Sequence, residues 1–112
     1  MNIDIKKVKI FFRPGTTDLR KAINGLAVIT EQQMKEEPFS GNIYLFCNKD
    51  RTRLKALRRD RNGFWLSQKR LEQDTFPWPQ TSEAVKELSG EQLPLMSGLS
   101  RRKIKKLVFH RF

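Results

Sequence analysis

Apolar residues recur along this chain with changing spacings, and the spacings set the expected elements. Ile3, Ile5, Val8, Ile10 and Phe12 alternate imperfectly with Asp4, Lys6, Lys7 and Lys9 before Pro14-Gly15 closes the run. That pattern predicts a first strand over residues 3–13 ending in a turn. The spacing then changes to threes and fours. Leu19, Ile23, Leu26, Ala27, Thr30 and Met34 predict an amphipathic helix from Asp18 to Lys35, with Thr16 and Thr17 as cap oxygens and Asp18 in the first turn. Gly25 inside it costs about 1 kcal/mol relative to Ala, which suggests a close helix–sheet approach. Pro38 stops the helix, and Ser40-Gly41 turns the chain into the apolar run Ile43 to Cys47, a strand buried on both faces.

The polar group Asn48-Lys49-Asp50 precedes the strongest turn signal in the chain. Residues 53–59 and 64–71 flank Asn62-Gly63, a pair that accepts the positive φ of a tight hairpin turn. Phe76-Pro77-Trp78-Pro79 is rigid and unsuited to a central strand. Residues 81–88 favour no single element, and residues 91–99 predict a short capped helix with Pro94 in its first turn. In the tail, Ile104, Leu107 and Val108 share a helical face, residues 107–112 also alternate as a strand would, and a disordered arm is the third reading. The expected fold class is α+β: a mainly antiparallel sheet of about four to five strands, one long amphipathic helix packed on one face, and a short C-terminal helix. The expected division is a compact domain over residues 1–99 and a basic extension over 100–112.

Charge changes the picture from a fold to a partner. The chain of 112 residues has a net charge of +11, and the excess is localised. Residues 49–70 hold Lys49, Arg51, Arg53, Lys55, Arg58, Arg59, Arg61, Lys69 and Arg70 against only Asp50 and Asp60. Residues 99–112 hold Arg101, Arg102, Lys103, Lys105, Lys106 and Arg111 with no acid, so these two segments account for all of the positive excess. A solvated surface normally mixes signs; an unmixed one points to a polyanion, nucleic acid ahead of an anionic membrane. Cys47 and His110 are single, which leaves no internal disulfide and too few soft ligands for a zinc site. No run has signal-peptide or bilayer-spanning length, so the expected compartment is the cytoplasm, with no membrane partner.

Several segments carry a family likeness. Gly15-Thr16-Thr17-Asp18-Leu19-Arg20-Lys21 with Asn24-Gly25-Leu26, Pro38-Phe39-Ser40-Gly41, Arg53-Leu54-Lys55-Ala56-Leu57 through Asp60, Gly63-Phe64, Lys69-Arg70-Leu71-Glu72 and Phe76-Pro77-Trp78-Pro79 follow in an order and spacing that are jointly specific. In these the chain resembles the TnpB accessory protein, the second reading-frame product of bacterial IS66-type insertion sequences. The resemblance implies an accessory factor of transposition, with strand-transfer chemistry left to a separate transposase. It does not extend to the RNA-guided nuclease of the same name, whose carboxylate triad and zinc cysteines are missing. Two departures stand out: Arg59, where family members often carry an aromatic, and a more basic extension over residues 101–112.

The residue chemistry fits an expectation of no enzymatic activity. Two-metal nuclease chemistry needs carboxylates brought within a few ångströms of each other, and the twelve acids are scattered with no recognisable nuclease pairing. No Gly-rich phosphate loop, nucleophile–base pair, cofactor motif or small-molecule substrate site is apparent. The expected partner is DNA, contacted at phosphates by Arg53, Lys55, Arg58, Arg59, Arg61, Lys69 and Arg70, with Arg101, Arg102, Lys103, Lys105 and Lys106 as a second patch. Phe64 and Trp65 at the hairpin tip are candidates for stacking on an unpaired base. The rival expectation is a module that docks on the transposase or another element-encoded protein, using Phe76, Trp78 and the hairpin edge.

Overall fold

The computed structural model describes residues 8–75, Trp78 and the backbone of Lys86 and Glu87. Its elements are β1 (Ile10–Phe12), α1 (Ile23–Gln32), β2 (Ile43–Cys47), β3 (Arg53–Arg59), β4 (Phe64–Arg70) and the two-residue β5 (Lys86–Glu87). The strands form one sheet in the order β4-β3-β2-β1-β5. The fold is α+β with a mixed sheet. β2–β3, β3–β4 and β1–β5 are antiparallel, whereas β1 and β2 run parallel because the chain crosses over through α1 between them. The expected C-terminal helix and the tail lie outside the described residues.

β2 is central and, as its unbroken apolar sequence implies, buried on both faces. Its alternation divides the core into two layers. Tyr44 and Phe46 face α1 and pack with Leu26, Ile29, Met34 and Leu57. Ile43, Leu45 and Cys47 face away and pack with Ile10, Phe12, Leu54, Ala56 and Trp78. Burial of the Cys47 thiol pushes its pKa up to about 12, in keeping with an inert core thiol.

The helix is shorter than its apolar spacing predicts. Asp18 does not start it: its carboxylate accepts the Arg20 backbone N–H at 3.0 Å, and its carbonyl accepts the Lys21 N–H at 3.1 Å, which closes a separate turn. Thr17 is likewise not a cap, because its N–H donates to the Cys47 carbonyl at 2.8 Å and its hydroxyl accepts from Arg13. α1 therefore begins after Ala22, with no side-chain cap, and the chain leaves it through Lys35 at φ 58°. Gly25 does not serve a helix–sheet approach; an added Cβ would meet the Lys21 side chain, with its Cβ at 3.2 Å.

The hairpin is present, but its turn differs from the expected one. Arg59 pairs with Phe64, leaving a four-residue loop over 60–63 in which neither Asn62 nor Gly63 has positive φ. Asp60 closes the loop instead. Its carboxylate accepts the N–H groups of Asn62 and Gly63 at 3.1 and 3.0 Å and the indole N–H of Trp65, while its own N–H donates to the Gly63 carbonyl at 2.8 Å. These three donors, the indole foremost, hold the Asp60 carboxyl below its usual range.

Candidate nucleic-acid interface

The pairing register assigns each cation on the hairpin strands to a side of the sheet. Arg53, Lys55 and Arg59 on β3 and Arg70 on β4 share the α1 face with Leu57, Phe64 and Leu66; Arg58 and Lys69 lie on the opposite face with Trp65, and Arg61 is in the loop. Of the seven cations expected to contact phosphates, six are thus split between the two faces. Nor is the hairpin a free ribbon that could enter a groove, since β2 pairs with β3 from Leu54 to Arg58.

Arg58 is only 2% exposed, which corrects its expected role as a phosphate contact. Burial lowers its pKa, and the Asp60 charge opposes that shift. Lys55 is turned inward: its ammonium donates to the Leu19 carbonyl at 2.6 Å and the Lys21 carbonyl at 3.3 Å, fixing the turn that precedes α1. Arg59 donates from Nε to the Asp60 carbonyl at 2.9 Å and lies over two rings, 5.0 Å from the Phe39 centroid and 5.3 Å from that of Phe64. The resemblance implies an aromatic at this position; here the guanidinium packs on two rings instead.

Arg53, Arg61 and Arg70 remain exposed, with Lys69 half-buried. Arg53 and Arg70 are direct cross-strand partners on the α1 face. Like charges so placed are destabilising, and among the described residues neither has a carboxylate within salt-bridge distance, the one such pair being Arg20–Asp18 at 2.8 Å. That side-chain bond from Arg20 holds the Asp18 carboxyl down at about 2. Arg53 also borders a cleft of about 440 Å³ between the turn at Thr16–Arg20 and the β2–β3 connection, lined further by Lys49, Asp50 and Gln68. Asn48 makes that connection rigid, its side-chain oxygen accepting the N–H groups of Thr52 and Arg53, each at 2.9 Å.

The aromatic expectations also divide. Phe64 stays at the surface beside Phe39, while Trp65 on the other face donates to Asp60. Phe39, which the sequence reading placed in a family-like segment but not among the site residues, is 60% exposed. The loop that presents it is braced by Phe39 N–H to the Glu37 carboxylate at 2.9 Å, and by the Tyr44 hydroxyl, which donates to the Glu37 carbonyl at 3.1 Å. Trp78, expected as an exposed anchor, is instead buried at 3%, donates to the Arg13 carbonyl at 2.8 Å and packs edge-on against Phe12. Phe76, Arg101, Arg102, Lys103, Lys105 and Lys106 lie outside the described residues.

Comparison with known proteins decides the family. The sequence model described as "IS66 Orf2 like protein" matches residues 8–106. The chain belongs to this family. It is also similar to two proteins of Sinorhizobium fredii (strain NBRC 101917 / NGR234). Uncharacterized protein y4hO is 31% identical over 98 residues, covering 87% of this chain and 85% of that protein. Uncharacterized protein y4jC is 28% identical over 100 residues, covering 88% and 86%. No solved structure matches. As an IS66 Orf2-like protein, the chain is an accessory protein of an IS66-type insertion sequence. Among the described residues no helix is long and apolar enough to cross a membrane, and no three metal-ligating side chains cluster.

Proposed function

We propose that this IS66-type accessory protein is non-enzymatic and binds DNA through the surface cations of its hairpin. Arg53, Arg61 and Arg70 make the principal phosphate contacts, with Arg59 on the same face as Arg53 and Arg70 and Lys69 a further cation on the opposite face. Arg101, Arg102, Lys103, Lys105 and Lys106 form a second patch, and Phe64, extended by Phe39, offers rings to an unpaired base. The observation that supports this reading most is the opposed pair Arg53 and Arg70. Two exposed guanidinium groups on adjacent strands weaken the sheet in isolation and gain a partner when a phosphate sits between them. Fluorescence anisotropy with duplex and single-stranded oligonucleotides across salt tests it: binding is expected to weaken steeply as salt rises, and absent or salt-insensitive binding would contradict it.

A second reading, docking on the transposase without DNA contact, is favoured by Phe39, a large apolar side chain held in solvent by a braced loop. Co-purification with the transposase that survives nuclease and high salt, and is lost in Phe39→Ser, would favour it.

A further inference from the structure

Among the described residues β4 ends the sheet, and two hydrogen bonds establish which of its backbone groups face outward. The Asp60 N–H donates to the Gly63 carbonyl, and the Leu71 N–H donates to the Thr52 carbonyl at 2.8 Å. Bonded and non-bonded pairs alternate along an antiparallel ladder, so the bonded pairs between these ends are Arg58–Trp65, Ala56–Ser67 and Leu54–Lys69. Trp65, Ser67 and Lys69 therefore direct their N–H and C=O groups at β3. Phe64, Leu66, Gln68 and Arg70 direct theirs away from the sheet, and among the described residues no other strand pairs with them. Such an edge is a template for a further strand.

The side chains of β4 select what that strand is. Its beginning is aromatic, Phe64 and Trp65, and its end is cationic, Lys69 and Arg70. A copy laid parallel and in register would place Lys69 on Lys69 and Arg70 on Arg70. A copy laid antiparallel about a two-fold axis at Ser67 places Arg70 opposite Phe64 on the α1 face and Lys69 opposite Trp65 on the other, with no cation facing a cation. In that register all four outward residues form bonded pairs, Leu66 with Gln68 and Phe64 with Arg70, and Ser67 meets its own copy at a close, non-bonded position where a small side chain is needed.

We propose that a second copy of this chain occupies the edge, β4 against β4, closing an isologous dimer with one continuous sheet. The proposal is independent of DNA binding and has the opposite salt dependence. Two chains of +11 repel at long range, and salt screens that repulsion beyond about 8 Å at physiological ionic strength, so added salt favours the dimer.

Sedimentation velocity on the full chain tests this. The mass is expected to move from 13.2 kDa towards twice that value as concentration rises, with the dimer fraction increasing with salt. Gln68→Pro deletes an outward N–H and leaves the bonds to β3 in place, so it should stay at the monomer mass with an unchanged circular dichroism spectrum. If that variant does not fold, Ser67→Cys locates the contact instead: mild oxidation should give a disulfide-linked dimer, native Cys47 being buried. Wild-type protein that stays at the monomer mass at every concentration and salt overturns the proposal. So does a dimer that survives a folded Gln68→Pro, or one that Ser67→Cys does not cross-link.

Discussion

Arg53 and Arg70 stand directly opposite each other in the β3–β4 ladder, both exposed and both on the α1 face of the sheet. A cross-strand pair of like charge costs about 0.2–1 kcal/mol. Arg70→Thr is therefore expected to leave stability in urea unchanged or raised by an amount of that order, while DNA affinity falls. A merely solvated face would show the same stability change with no loss of binding.

Lys55 should behave in the opposite way. Its ammonium is engaged by the Leu19 and Lys21 carbonyls, and a hydrogen bond from a charged donor contributes about 1.5–3 kcal/mol. Lys55→Met is expected to lose stability of about that size, read from urea midpoints, with the salt dependence of DNA binding unaltered.

Trp78 is part of the core layer with Phe12 and Leu45. Trp78→Ala should cost about 3–5 kcal/mol, as large-to-small aromatic changes in cores do, and should lower the melting temperature. A folded, equally stable variant that had lost only transposase binding would restore the anchor role that the sequence suggested.

Asp60 ties acid sensitivity to the hairpin loop. Its folded pKa lies below the unfolded value of about 3.9, so its contribution is present above that value and is lost as pH falls through the folded pKa. Asp60→Asn should be less stable than wild type at neutral pH, and the difference should shrink below about pH 4. Urea midpoints measured across this range check the sign.

The sequence reading succeeded where one local rule had no competitor. The unbroken apolar run at Ile43–Cys47 could only be a doubly covered strand, and the two arms of the hairpin were plain from their composition and the intervening Asn62-Gly63. It failed where a tertiary bond outweighed a local preference. The Cys47 carbonyl draws the Thr17 N–H into the sheet's end and denies α1 its expected start, and the Asp60 carboxylate replaces a positive-φ turn. The candidate site shows the same division. Charge density was visible in the sequence, but the register that buries Arg58, turns Lys55 inward and sets Arg53 beside Arg70 depends on pairing that composition does not encode.

The central claim, phosphate contact by the hairpin surface, is tested most directly by the slope of log affinity against log salt for wild type and for Arg53→Gln, Arg61→Gln and Arg70→Gln combined. Each neutralised phosphate contributes about 0.9 to that slope for duplex DNA. The combined variant should therefore bind more weakly with a slope shallower by about 2–3. An unchanged slope, or wild-type protein that binds no DNA at low salt, would contradict the claim.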